Sequence, residues 1–163
     1  MKQNINFTPT QMAILILLKA EDKKGEMYSS IPGRTHLVKE LFAIYQNDLG
    51  KRLLPELNFI PYKYGPYDDT IFAALEGLRD GGFIAFDSTT SNTKILLTHK
   101  GKENSDKLWN RIKDDIKILF TFTKKNYNHL SSARLLEKIY SAYPEMAINS
   151  ESKIAERYRP KIA

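Results

Sequence analysis

The side chains in this sequence that are able to do chemistry are mostly cations, and the chemistry they suit is phosphate binding. Arg34, His36 and Lys39 lie close together around the start of one segment, and Lys63 stands beside Tyr64 and Tyr67. Lys94 closes a polar stretch, Lys100 and Lys102 follow it, and Lys153, Arg157, Arg159 and Lys161 gather near the end. Arginine and lysine grip backbone phosphates, which orient a protein on a duplex without reading its sequence. Thr70 adds a hydroxyl to the set, and Tyr62, Tyr64 and Tyr67 offer ring faces for a base or a peptide. Each cation also suits a solvated surface, and tyrosines at a tight corner also cover a core with their hydroxyls wet.

Catalysis finds little to stand on. The three histidines, His36, His99 and His129, are far apart and fall in different segments, so none shares metal-ligand spacing with another. Asp68 and Asp69 are adjacent, which sends them to different sides of a helical turn instead of pairing them as acid and base. No glycine-rich phosphate loop or nucleophile elbow occurs, since Gly81-Gly82 follows a helix instead of opening one. There is no cysteine, which removes disulfides, thiolate nucleophiles and cysteine-bound zinc. The expectation is a protein that is not an enzyme and has no cofactor or metal.

These side chains need elements to position them, and 163 residues with 42% hydrophobic content can build one real core. The longest apolar run, Met12 to Leu18, is short of the roughly 20 residues of a membrane span and has no cationic leader or cleavage site. A soluble, cytoplasmic protein is expected. The net charge of +6 is uneven, about +1 over residues 1–100 and +5 over 101–163. Such a surplus attracts nucleic acid by counterion release, and solvated helices carry it equally often.

The first helix is announced by "FTPTQM": Thr8 as cap, Pro9 in the first turn, Gln11 three residues on, and Phe7 with Met12 as a flanking apolar clasp. It should run to about Ala20, its apolar middle implying burial on several sides. A polar loop follows to Gly33. A second helix is expected with Thr35 as its cap and Leu37, Val38, Leu41 and Ile44 or Tyr45 at helical spacing, ending near Gly50. Residues 51–64, with two prolines, read as an irregular connection feeding an extended piece at Asn58 to Tyr64.

After a corner at Gly65-Pro66, Asp68 caps a third helix with Ile71, Leu75 and Leu78 on one stripe, stopped by Gly81-Gly82. "FIAF" and "KILLTHKG" then form a hairpin around the tip "DSTTSNT". Three helices followed by a two-stranded hairpin describe a winged helix-turn-helix, here over residues 1–100. Residues 101–163 form a helical extension of two helices, one carrying Leu108, Ile112, Ile116 and Leu119, the other running from about Ala133 to Ala142. They either pair two chains as a homodimer, the favoured reading, or pack back on the first helix. The fold class is α+β, mainly α.

The strings "IPGRTHLVKELFAI", "YKYGPYDDTIFAALEGLRDGGFI", "LTHKGKE" and "YSAYPEMAINS" together resemble a group of prokaryotic winged-helix proteins related to the Panacea or SocA-like antitoxin domains. The likeness runs from about Arg34 to Ser150, and "LTHKG" is similar to the "LTxxG" of PadR- and MarR-type regulators. It implies either DNA binding or capture of a protein partner. A groove-reading third helix should carry Arg, Lys, Asn, Gln or Ser outward. This one carries Asp68, Asp69, Glu76 and Asp80 against a single Arg79, and the tip offers only Lys94 among Thr89, Thr90, Ser91, Asn92 and Thr93. The first expectation is a dimeric DNA-binding transcriptional regulator held mainly by backbone contacts. The alternative is an antitoxin-like or adaptor module that docks a protein on its acidic third helix and aromatic corner.

Overall fold

The structure, a computed structural model, describes residues 6–160. It is α+β and mainly helical: α1 (Pro9–Lys19), α2 (Arg34–Tyr45), α3 (Asp48–Leu53), β1 (Ile60–Tyr62), β2 (Gly65–Tyr67), α4 (Asp69–Asp80), β3 (Ile84–Asp87), β4 (Lys94–Leu97), α5 (His99–Arg111), α6 (Asp114–Tyr127) and α7 (Ser132–Ala142). Two 3-10 turns, Pro144–Ala147 and Lys153–Arg157, follow. The strands form two separate antiparallel hairpins, β1–β2 and β3–β4. Ile31 adds an isolated bridge to Ile95 of β4.

The start of α1 follows from local chemistry. The Gln11 amide donates to Thr8 Oγ1 at 3.2 Å and the Thr8 amide donates to Gln11 Oε1 at 3.0 Å, a reciprocal cap. Phe7 stands edge-on to Phe83, 4.9 Å between ring centres, which ties the entry of the helix to the start of the β3–β4 hairpin. Ile14, Leu15, Leu17 and Leu18 are all fully buried, so α1 is surrounded, as its apolar middle implied. α5 packs along α1, and α6 touches both α1 and α2, so Phe120 of α6 belongs to the main core. A second, smaller cluster joins Phe42 of α2 to Leu136, Ile139 and Tyr140 of α7 and to Ala147 and Ala155 of the closing turns.

Four local expectations need correction. α2 starts two residues earlier than a Thr35 cap would place it: Gly33 is its N-cap, with no side chain accepting from the first turn. The helix stops at Tyr45, because the chain re-nucleates as α3, whose Gly50 lies against the Ile44 carbonyl. The bend of the aromatic corner falls at Lys63-Tyr64, because Gly65 and Pro66 are strand residues paired with Tyr62 and Pro61. Both prolines sit where a two-stranded ladder has no further neighbour to receive an N–H. The long helix expected after the hairpin is two helices, broken at Ile112-Lys113, and it begins at His99, whose residues had been read as the end of β4. Thr98 stops the strand by capping α5, its Oγ1 accepting from the Gly101 amide at 3.0 Å.

α4 is built as its sequence implies. Ile71, Leu75 and Leu78 are at most 1% exposed, and Gly82, with φ +80°, turns the chain out of the helix. Asp68 is 8% exposed and accepts from two amides, Thr70 at 2.8 Å and Asn58, so it joins the helix start to the strand approach. Asp68→Ala should therefore cost about 1–2 kcal/mol, at the upper end for a lost cap because two amides lose their acceptor. A urea midpoint lowered at constant slope is the expected result; an unchanged midpoint would show that solvent satisfies both amides.

Two ionisable side chains lie inside the body. Lys124 is fully buried and its Nζ donates to the carbonyls of Leu18 at 2.8 Å and Ser29 at 2.9 Å, closing the C-terminal end of α1 and the loop after it. Glu40 is likewise fully buried and has no hydrogen-bond partner among the described residues. Burial pushes the Glu40 carboxyl well above the usual carboxylate range, with Lys124 opposing, which favours its protonated form.

Candidate nucleic-acid interface

The start of α2, the tip of the β3–β4 hairpin and the first residue of α7 enclose an open cleft of about 500 Å³. Its walls are about equally polar and apolar and carry no carboxylate: Arg34, Thr35 and His36 come from α2, Phe86 from β3, Ser91, Asn92 and Thr93 from the tip, and Ser132 from α7. Arg34 is exposed, with its guanidinium 5.0 Å from the centre of the Phe86 ring, which holds it beside the hairpin. Because Gly33 supplies no capping side chain and the first turn of α2 holds no acidic residue, the amide end of this helix keeps its positive potential toward the cleft. Backbone amides, hydroxyls and a guanidinium together suit a phosphate.

The other cations named by the sequence meet different fates. His36 is 4% exposed, and its Nε2 donates to the Tyr127 carbonyl at 2.9 Å. Burial lowers its pKa, partly opposed by that bond, so His36 is a neutral structural link between α2 and α6 and not a phosphate contact. Lys39 is 5% exposed, too deep to reach a duplex. Lys100 donates to the Gly81 carbonyl at 2.8 Å with its Nζ 4.4 Å from the Phe83 ring centre, which fixes it to the end of α4. Arg159 donates from Nε to the Ala147 carbonyl at 3.3 Å and from Nη2 to the Ser150 carbonyl, closing the final turns. Thr70 sits in the first turn of α4 with its amide held by Asp68.

Lys63, Lys102 and Arg157 remain exposed. Lys94 is half-buried opposite Asp87 at the base of the tip, where it helps to hold the Asp87 carboxyl below its ordinary range, behind the Thr89 hydrogen bonds that do most of it. Lys161 lies outside the described residues. Tyr64 is 57% exposed, whereas Tyr67 is half-buried between Tyr62 and Phe72, with ring centres 4.7 and 5.4 Å away. Of the four acidic side chains of α4, only Asp68 is turned inward; Asp69, Glu76 and Asp80 are exposed, and Arg79 is 3.4 Å from Asp80. The outward face of α4 is thus a poor match for a groove.

The fold therefore draws Arg34, the hairpin tip and the edge of the buried His36 to one cleft and scatters the rest. Ser132 was not legible as a contributor, since 39 residues separate it from Thr93 and only the α6–α7 turn brings it there. Among the described residues no group of three His, Asp or Glu side chains is placed to hold a metal, and no helix is long and apolar enough to cross a membrane. Neither models of known protein families nor curated proteins match this chain.

Proposed function

We propose that the chain is a winged-helix protein that binds duplex DNA through backbone phosphates and acts as a transcriptional regulator. The observation that carries this reading is the acid-free cleft between the uncapped start of α2 and the β3–β4 tip, with Arg34 at its wall. The element order is compatible with it once α3 and the β1–β2 hairpin are counted as an insertion between α2 and α4: α1, a bridging segment at Ile31, α2, α4 and the β3–β4 hairpin then come in winged-helix order, with Ile31 bonded to Ile95 as the edge of the wing. In this reading α4 props the domain, and α2 with the wing tip holds the phosphates. The resemblance to Panacea or SocA-like proteins is compatible with it.

The experiment is fluorescence anisotropy with a short labelled duplex across a salt series. Native affinity should fall steeply as salt rises, and Arg34→Glu should weaken it about tenfold or more and flatten the salt slope by about 1. Equal affinities for the native chain and the variant would overturn the reading.

A second reading rests on its own observation. Asp69, Glu76 and Asp80 of α4 are exposed, as are the rings of Tyr62 and Tyr64 on the β1–β2 hairpin, and acidic and aromatic surfaces of this kind suit a basic protein partner, as in an antitoxin-like or adaptor module. Recovery of one stoichiometric polypeptide with the native chain, together with salt-independent, diffuse duplex binding, favours it over DNA. We place the contact between copies of a homodimer on α6, where Ile118 and Phe122 are 68% and 62% exposed at i, i+4 spacing.

A further inference from the structure

Lys39 opens a different question. Its stem passes between α2 and the β1–β2 hairpin, and its Cε would lie 3.4 Å from a Cβ at position 65, beside Leu136. Gly65 has φ +104°, so this passage depends on a residue that only glycine fills without strain. Beyond it lies a cavity of about 120 Å³ whose accessible wall is almost wholly apolar, lined by Tyr62, Tyr64, Tyr67 and Phe72 with Lys39 at the α2 side.

Lys39 makes no ion pair among the described residues. Burial alone holds its ammonium down, to about 8, and no carboxylate or hydrogen bond opposes it. It is therefore mainly charged at neutral pH and without a counterion, on a residue that is only 5% exposed and whose ammonium is not among the enclosed, unpartnered polar atoms. The neighbouring ionisable groups do not supply one. Glu40 is enclosed with its carboxyl pushed toward the protonated form, Asp68 serves the Asn58 and Thr70 amides, and His36, its pKa lowered by burial, is bonded to Tyr127. Asp69 stands near the Tyr67 hydroxyl and raises its pKa, and the Lys63 ammonium lies 5.9 Å from the Tyr62 ring centre.

A buried cation that ends in a small aromatic cavity is complementary to one kind of ligand. Its charge must be negative, to satisfy the ammonium, and compact, to fit beside it. The remainder must be apolar and about the size of a single ring, since a cavity of roughly 150 Å³ is filled by benzene. We propose that the space between α2 and the aromatic hairpin is a binding site for a small apolar carboxylic acid, its carboxylate paired with Lys39 and its ring or branched chain against Tyr62, Tyr67 and Phe72. This inference is independent of nucleic acid being the partner.

Calorimetric titration of the native chain with benzoate, benzyl alcohol and acetate tests it. Benzoate should bind, and benzyl alcohol, which keeps the ring without the charge, should bind about tenfold or more weaker, as should acetate, which keeps the charge without the ring. Lys39→Met should reduce benzoate affinity about tenfold or more and leave benzyl alcohol unchanged. Equal affinity for benzoate and benzyl alcohol, indifference of benzoate to Lys39→Met, or no binding of benzoate would each overturn the proposal. A measurement on the unmodified chain keeps it testable should the variant misfold: benzoate should slow reductive methylation of Lys39 and not of Lys63, read by mass spectrometry. Equal labelling of Lys39 with and without benzoate overturns it too.

Discussion

Gly101→Ala should lower stability by about 3 kcal/mol or more, a large part of the total for a chain of this size. Gly101 is buried in the first turn of α5, where the helix crosses the start of the β3–β4 hairpin. A Cβ at this position would stand 1.9 Å from the Phe83 carbonyl oxygen, 3.0 Å from its carbon and 3.1 Å from Leu97 Cδ2. The obstacle is backbone, so no rotamer relieves it. Nor can the backbone retreat cheaply, because the Thr98 amide donates to that same Phe83 carbonyl at 3.1 Å and Thr98 Oγ1 donates to the Gly82 carbonyl at 2.6 Å. To admit a methyl group, α5 must leave the strand end, and with it the packing of α5 along α1. Gly77→Ala is the matched comparison: there the added carbon meets Gln11 Nε2 at 2.7 Å, the far end of a flexible side chain, and helix propensity favours alanine by about 1 kcal/mol. Urea unfolding should thus separate the two glycines sharply. Similar midpoints for both variants would mean that the α5–hairpin contact is loose.

How much of this was readable beforehand depended on whether the decisive contact was local. The caps at Thr8 and Asp68, the stripe Ile71–Leu75–Leu78 and the pairing of Ile84 with Leu97 lie within a few turns or one hairpin, and residue type and period reveal them. The break between α5 and α6 left no mark, because Leu108, Ile112 and Ile116 keep their four-residue spacing through it and no Gly or Pro stands there. β2 was hidden for a different reason: Gly65-Pro66 reads as a turn, and only pairing with Pro61 and Tyr62 makes it a strand. The candidate sites were legible as residue types and not as places. Arg34 and Lys39 are five residues apart on one helix and looked alike, yet one lies at an open, acid-free cleft and the other under an aromatic hairpin. What divides them is Gly65 and Leu136, which lie 26 and 97 positions further along the chain than Lys39.

That division gives Lys39 a thermodynamic signature of its own. Lys39→Met should stabilise the folded chain by about 2–3 kcal/mol at neutral pH, since methionine keeps an apolar stem of similar reach and removes a charge that folding partly desolvates without offering a partner. The folded-state value of about 8 lies below the ordinary 10.5, so the unfolded chain binds the extra proton between those limits. Stability of the native chain must then rise with pH across that window relative to the variant, while the full cost, at about 1.4 kcal/mol per pH unit, applies below it. The advantage of Lys39→Met should accordingly be greatest at neutral pH and shrink as the pH climbs toward 10.5. Taking the difference between two otherwise identical chains cancels the titration of Lys124, Glu40 and the tyrosines, which both share. Urea midpoints for both chains over this range decide the matter, and a constant gap, or a less stable variant, would mean that the ammonium reaches solvent or a partner after all. A variant that gains stability while losing benzoate would identify Lys39 as a group the fold holds at its own expense, because a cation with only a structural role would have been better replaced by methionine at the outset.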